Sequence, residues 1–196
     1  MSESIKIPKD IKLNVQPITL AIYHEYVFEG PCRFGKNDEL TKEYDLMRIA
    51  AIHKQYVEEV QENLHDVDFI NVMEPIVIKR DETFPVTDEI LEEMGKNADE
   101  VDVYLVKFHP FGIDLALAFA QKYHKTMASV LQCCNDSGMV ASLRPRGCEA
   151  FGWSSWEDAI GGMKVLRARK ALSNVRVLCV PRNNSNNSLS ALDSFY

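Results

Sequence analysis

Val101-Asp-Val-Tyr-Leu-Val-Lys-Phe108 is followed at once by His109-Pro-Phe-Gly112, and Thr126-Met-Ala-Ser-Val-Leu131 by Gln132-Cys-Cys-Asn-Asp-Ser-Gly138. In both cases a short apolar run, typical of a buried strand, ends at a loop of polar and reactive side chains. An apparent helix begins after each loop. In open parallel sheets, ligands bind in the crevice beyond the carboxyl ends of the strands. This stretch therefore predicts a parallel sheet and indicates the edge at which function should be sought.

The rest of the chain repeats this alternation of strand and helix. The predicted strands cover residues 18–23, 67–72 continued by 76–78 after Pro75, 101–108, 126–131, 148–153 and 175–180. The predicted helices begin near Asn37 and Asp38, at the cap Thr87, near residues 111 and 136, and at a capping box over 154–157. Such alternation predicts an α/β fold, doubly wound, with a mostly parallel five- or six-stranded sheet and helices on both faces.

Three segments are expected along the chain. Residues 1–16 form a polar N-terminal segment, and residues 17–180 form a Rossmann- or flavodoxin-like domain. Residues 181–196 form a polar loop and the start of a following segment, because 189–196 carry the apolar spacing of opening helical turns. The sequence thus predicts the front portion of a longer protein.

Charge and hydropathy exclude several classes of function. A net charge of −7 and a pI near 5.3 argue against a nucleic-acid partner, which requires a basic face. The chain holds no run near the roughly 20 apolar residues that span a bilayer, and its start lacks the apolar core of a signal peptide. We therefore expect no membrane contact and a cytoplasmic location.

The five cysteines lack a Cys-x-x-Cys spacing, which indicates reduced thiols rather than disulfides or a zinc site. Cys133 and Cys134 stand at a strand end, where a redox or nucleophilic role remains open. No dinucleotide or Walker motif is present, and Gly161-Gly162 lies inside a predicted helix, where it indicates packing or a kink.

Four basic residues cluster in the last predicted helix, where they form either a solvated face or an anion site. They are Lys164, Arg167, Arg169 and Lys170.

Several strand ends carry candidate ligand-binding residues. His24 and Glu25 follow the first strand, and His109 follows the strand at 101–108. Imidazoles and carboxylates at one edge of a sheet suit acid/base or hydrogen-bonding work, although each could also be an ordinary loop side chain.

Two further groups of candidates lie in later loops. Asn135, Asp136 and Ser137 open a helix, whose first amides can hold a phosphate or a polyol oxygen, unless Asp136 or Ser137 only caps the helix. Since Asp136 would repel phosphate, a neutral sugar hydroxyl suits this loop better. Arg182 and Asn184 belong to an amide-rich stretch that suits a polyhydroxylated ligand, another subunit or a flexible linker.

Leu131-Gln-Cys-Cys-Asn-Asp-Ser-Gly138, the Arg144-Pro-Arg-Gly147 turn and residues 175–195 resemble the front half of the L-fucose and L-arabinose isomerase-like proteins. The resemblance covers about residues 18–196 and depends on the order of strands and helices more than on a catalytic signature. It implies an N-terminal Rossmann-like domain of a homo-oligomer in carbohydrate metabolism, with the sugar bound between subunits.

The same resemblance implies that the chemistry lies elsewhere. In that family a divalent metal, usually manganese, is held by acidic residues and a histidine from later in the chain, so no catalytic or metal-binding residue is assigned here and no cofactor is expected within these residues. Two alternatives stay open: a self-contained flavodoxin-like module that binds a small polar ligand, and an assembly domain without chemistry.

Overall fold

The computed structural model describes residues 10–24, 41–81, 85–109, 112–132 and 134–173. The strands are β1 (Leu13–Tyr23), β2 (Ile70–Val72), β3 (Ile76–Asp81), β4 (Val103–His109), β5 (Thr126–Val130) and β6 (Ala150–Trp153). The helices are α1 (Lys42–Leu64), α2 (Asp88–Met94), α3 (Ile113–Tyr123), α4 (Cys134–Leu143) and α5 (Trp156–Ser173), with a 3-10 turn at Arg144–Arg146.

The six strands form one sheet in the order β2-β1-β4-β5-β6, and β3 pairs with β1 beyond the end of β2. Every strand pairing is parallel. β2 and β3 act as one edge strand broken around Pro75, whose ring nitrogen cannot donate a ladder hydrogen bond. Counted in this way, the order is the 2-1-3-4-5 of flavodoxin-like sheets, and the winding reverses between β1 and β4. The predicted doubly wound α/β fold is confirmed.

Helices cover both faces of the sheet. α1 and α5 pack on one face, and α2, α3 and α4 pack on the other. β4 shows the alternation that this requires, because Val103 and Leu105 point toward α1 and α5 whereas Tyr104, Val106 and Phe108 point the other way. Burial on both faces explains why the central strands are continuous apolar runs. Among the described helices, none is long and apolar enough to cross a membrane.

The first strand is longer than the sequence indicated. β1 begins at Leu13, not at residue 18, and both Leu13 and Val15 are fully buried. The prediction was wrong there because Asn14 and Gln16 interrupt the apolar run. Both amides have partners: Asn14 Nδ2 donates to the Glu100 carbonyl at 2.7 Å, and Gln16 Nε2 donates to backbone carbonyls.

Side chains cap three of the helices, and only one of these caps was predicted correctly. Thr87 accepts from Ile90 N, as expected. α1 is capped by Thr41, which accepts from Tyr44 N at 3.2 Å, rather than by Asn37 or Asp38. α5 is capped by Ser155 and not by Ser154, because the Ser155 hydroxyl accepts from Asp158 N at 3.1 Å. The predicted strand at 175–180 lies outside the described residues.

Candidate functional site

The carboxyl ends of β3, β1 and β4 lie side by side at the point where the winding reverses. In the strand register, Ala21 of β1 stands opposite Lys79 of β3 on one side and His109 of β4 on the other. One step further back, Thr19 stands opposite Lys107 of β4. This is the edge at which doubly wound sheets bind their ligands.

These side chains point toward α1. Ile78, Val106 and Phe108 pack with α2, α3 and α4, so Lys79, Lys107 and His109, their alternating neighbours, face the other way. α1 is apolar over its C-terminal half, where Val60 and Leu64 are buried. Toward its N-terminus, buried Ile49 is accompanied by the polar side chains of Asp45 and His53, which contact His24 and Thr19. We refer to this mixed, partly polar region of the α1–sheet interface at the carboxyl edge as the cleft.

His24 is held at the end of β1 by Asp45 from the first turn of α1. The Asp45 carboxylate accepts from the His24 backbone N–H at 3.1 Å and lies 3.0 Å from its ring Nδ1. The two side chains are only 12% and 18% exposed. A carboxylate at Nδ1 favours the proton on that nitrogen and fixes the ring orientation. His24 was predicted as a site residue, but nothing in the local sequence indicated its partner.

His109, also predicted as a site residue, lies at the end of β4 and is half-buried. It makes no hydrogen bond to any residue that the structure describes. Burial lowers the pKa of His109, the nearby Arg48 guanidinium lowers it further, and Asp45 opposes both. The lowered pKa favours the neutral form of the imidazole at physiological pH. A neutral imidazole has one donor and one acceptor nitrogen, so His109 can bind a hydroxyl in either direction.

His53 occupies the middle of the polar interface. Its Nδ1 lies 2.9 Å from the Thr19 hydroxyl on β1. Burial lowers the pKa of His53, and the positive charge of Lys79 lowers it further. His53 therefore has a hydrogen-bond partner inside the α1–sheet interface.

In the loop between β5 and α4, two predicted binding residues, Asp136 and Ser137, form hydrogen bonds with the backbone of the same segment. The Asp136 carboxylate, 2% exposed, accepts from the Gln132 backbone N–H at 2.8 Å. The Ser137 hydroxyl donates to the Cys134 carbonyl at 3.0 Å. These bonds give both side chains structural partners, and only that of Asp136, which accepts from a backbone N–H, agrees with the capping alternative. Asn135 is half-buried.

A chain of polar contacts links this loop to α1 and α5. Lys107 Nζ donates to Gln132 Oε1, and Gln132 Nε2 donates to Glu59 Oε1 at 2.7 Å. Trp156 Nε1 donates to the same Glu59 oxygen at 2.8 Å. Trp156 thus has a structural partner in Glu59.

Glu25, Arg182, Asn184 and Cys133 lie outside the described residues, so their assigned roles stay predictions. Cys134 is an exposed free thiol. Within the described residues no three His, Cys, Asp or Glu side chains converge as metal ligands would.

Sequence reasoning missed three contributors to the cleft: Asp45, Lys79 and Lys107. Only the position of Lys79 could have been inferred from the sequence. Had β3 been predicted to continue to Asp81, the alternation from buried Ile78 would have placed Lys79 on the α1 face. Asp45 and Lys107 come into the cleft through tertiary packing, which spacing alone does not reveal.

A pocket of about 330 Å³ opens at the opposite, amino edge of the sheet, lined by Leu13, Asp102, Leu166, Arg169 and Lys170 among others. Its charges are already paired. Lys170 contacts the Asp102 carboxylate, which also accepts from Asn14 N at 2.6 Å. Ligands of doubly wound sheets bind at the other edge. We therefore give the carboxyl edge precedence over this pocket.

Three of the four basic residues of α5 contact other parts of the chain, and the fourth, Lys164, is exposed as on a solvated face. Arg169 forms a two-pronged ion pair with Glu149, one contact being 2.8 Å. Arg167 Nε donates to the Ile11 carbonyl at 2.9 Å, and Lys170 Nζ donates to the Lys12 carbonyl at 2.9 Å. These residues fasten α5 to the amino edge of the sheet.

Comparison of the chain with protein-family models, with curated proteins and with solved structures finds no match. The isomerase-like resemblance is neither supported nor contradicted by this result and stays a prediction. Function is therefore argued from the geometry of the carboxyl edge.

Proposed function

We propose that this domain binds a small polar molecule at the carboxyl ends of β1 and β4. The observation that carries the proposal is His109: a half-buried, neutral imidazole at the winding reversal, with no hydrogen bond to any described residue. Buried polar groups in native proteins nearly always have a hydrogen-bond partner. A ligand hydroxyl or carbonyl would supply one.

The surroundings of His109 suit hydrogen bonding more than apolar contact. The His24–Asp45 pair lies at the end of the neighbouring strand, and Arg48 and Asp45 are close enough to alter the pKa of His109. Fixed donors and acceptors at the end of a rigid sheet are the usual way in which small-molecule sites orient a polar ligand. This favours the binding-module alternative among the functions that the sequence left open.

The sugar isomerase assignment is a narrower form of the same proposal. A sugar would present its hydroxyls to His109 and Asn135, while the divalent metal and the proton-transfer base would come from residues beyond this chain. The homo-oligomer and the aldose–ketose chemistry remain proposals that rest on the resemblance alone. The cytoplasmic location remains a proposal that rests on the hydropathy of the sequence.

Replacement of His109 tests the proposal. We expect a panel of sugars, polyols, small carboxylic acids and phosphate esters to contain at least one compound that raises the melting temperature of the wild-type chain. His109→Leu should weaken its binding by about tenfold or more, because a buried ligand group then loses its partner. Isothermal titration calorimetry measures the change.

The matched control is His65→Leu, at the exposed C-terminal end of α1 and remote from the carboxyl edge. It should bind as the wild type does. Equal affinity of the His109 and wild-type chains for the compound would remove this edge from the site. A panel without any binding compound would favour the assembly domain instead.

A further inference from the structure

We propose that the ligand of the carboxyl edge carries an anionic oxygen group, a carboxylate or a phosphate, held by Lys79, Lys107 and Arg48. The inference rests on the proposed function and specifies its ligand class. It follows from the contacts of the cations at this edge, which involve only neutral groups among the residues that the structure describes.

The acids that face the cleft are all engaged or buried. Asp45, from α1, holds His24 through two contacts. Glu59, also from α1, accepts from Gln132 Nε2 and Trp156 Nε1. Asp136, from α4, is 2% exposed and accepts from Gln132 N. Asp81, the last residue of β3, is 5% exposed.

The cations of the same face have no carboxylate partner among the residues that the structure describes. Lys79 is exposed and forms no hydrogen bond or ion pair there. Lys107 donates to the neutral amide of Gln132. Arg48 donates to the Tyr44 hydroxyl at 3.3 Å and lies over its ring, 5.9 Å from the centroid. Within the described part of the chain, whose full sequence has a net charge of −7, these positive charges thus lack a carboxylate partner at this edge.

Register brings these groups together around His109. Lys79 and His109 flank Ala21, so only a methyl group of β1 stands between them, and their Cα atoms are about 10 Å apart across two strand spacings. Lys107 precedes His109 by two residues on the same face of β4. An anion between the lysines would therefore lie beside the imidazole.

The objection to phosphate from the sequence no longer applies. It depended on the Asp136 carboxylate facing the ligand, whereas this group is buried against the backbone of its own loop. The positive field also reaches both imidazoles, since Lys79 lowers the pKa of His53 and Arg48 contributes to the lowered pKa of His109. A bound anion would oppose that field and raise the pKa of His109.

The test follows the ring protons of His109 by NMR through a pH titration at constant ionic strength, set with chloride. Inorganic phosphate and acetate are the anionic probes, and erythritol is the neutral one. We expect a saturable rise in the pKa of His109 of about one unit with phosphate or acetate. The stronger of the two anions identifies the group. Affinity should increase as pH falls, because the protonated ring binds the anion better.

Charge-removing variants distinguish a site from general screening. Lys79→Gln should weaken anion binding by about tenfold, the value of one charge-assisted contact, and Lys107→Gln should act in the same direction. Lys164→Gln, an exposed lysine of α5, is the matched control and should bind as the wild type does. Circular dichroism confirms that each variant is folded.

An unchanged pKa of His109 in saturating phosphate and acetate would overturn the inference, as would equal responses in the Lys79 and Lys164 variants. If erythritol or a sugar binds in a His109-dependent way while neither anion does, the ligand is neutral and the proposed function still holds. If no probe of either kind binds at this edge, both proposals fail.

Discussion

Gly161 and Gly162 are adjacent in α5 but differ in what a side chain would meet. A Cβ at Gly162 would lie 2.3 Å from the indole nitrogen of Trp153, whereas a Cβ at Gly161 would meet nothing within 4 Å. The interpretation of this pair as packing rather than a nucleotide loop is confirmed at Gly162. The helix can approach the sheet closely there because that position lacks a side chain.

We expect opposite effects of alanine at these two positions. Gly161→Ala should raise the free energy of unfolding by up to about 1 kcal/mol, because alanine is the better helix former. Gly162→Ala should lower it, since overpacking against a rigid, buried ring costs about 1–3 kcal/mol. Urea denaturation of both variants measures the difference. Two stabilised variants would mean that Trp153 moves aside freely.

Single residues of the site were predictable only in part. His24 and His109 stand directly after apolar runs, so their place at a strand end could be inferred from the sequence. Asp45 lies 21 residues from His24 and reaches it only because α1 folds back along β1. Asp136 has the sequence environment of a binding residue, but its short reach to Gln132 N makes it a structural one.

The boundaries of helices and strands were predicted accurately where polar residues are exposed and apolar residues are buried. The long helix α1 and the strand β4 follow their hydrophobic periods closely. β1 was predicted too short because Asn14 and Gln16 are polar yet paired inside the sheet. The cap of α5 was displaced by one residue because Ser154 and Ser155 are both suitable N-caps, and only backbone geometry selects between them.

The two serines provide a direct test at this scale. Ser155→Ala should destabilise the chain by about 1 kcal/mol, because Asp158 N loses its capping acceptor. Ser154→Ala, the control, removes only a contact with the Asp158 carboxylate and should have a smaller effect. Thermal or urea unfolding compares them. A larger loss at Ser154 would restore the capping box expected from the sequence.

At the scale of the whole molecule, the two edges of the sheet have different tasks. At the amino edge, ion pairs attach α5 to the sheet. In one of them, Arg169 contacts both carboxylate oxygens of Glu149. At the carboxyl edge, by contrast, lysine and histidine side chains lie near one another on neighbouring strands. The sequence indicated the second edge through its strand ends, but the charge pairing at either edge arises from packing and could not be read from spacing.

Glu149 should make stability depend on pH. The hydrogen bond from Arg169 lowers the pKa of Glu149, with a further contribution from Thr126 and burial opposing. A carboxyl whose pKa is lower in the folded state stabilises the fold above its unfolded pKa, and this stabilisation is lost as pH falls through the folded value. Glu149→Gln should therefore reduce stability at neutral pH and flatten its acid dependence.

Urea midpoints between neutral pH and about pH 3, below the ordinary glutamate pKa, measure this effect. Glu93→Gln, an exposed carboxylate of α2, is the control and should follow the wild-type curve. Identical curves for all three chains would mean that the Glu149–Arg169 pair contributes nothing to folding in solution.

The most direct test of the central claim is an amide chemical-shift map of the labelled chain with its strongest-binding compound. The account predicts that the largest shifts cluster at the carboxyl edge, around His24, Lys79 and His109. Shifts concentrated at the amino-edge pocket, around Asp102 and Leu166, would contradict it.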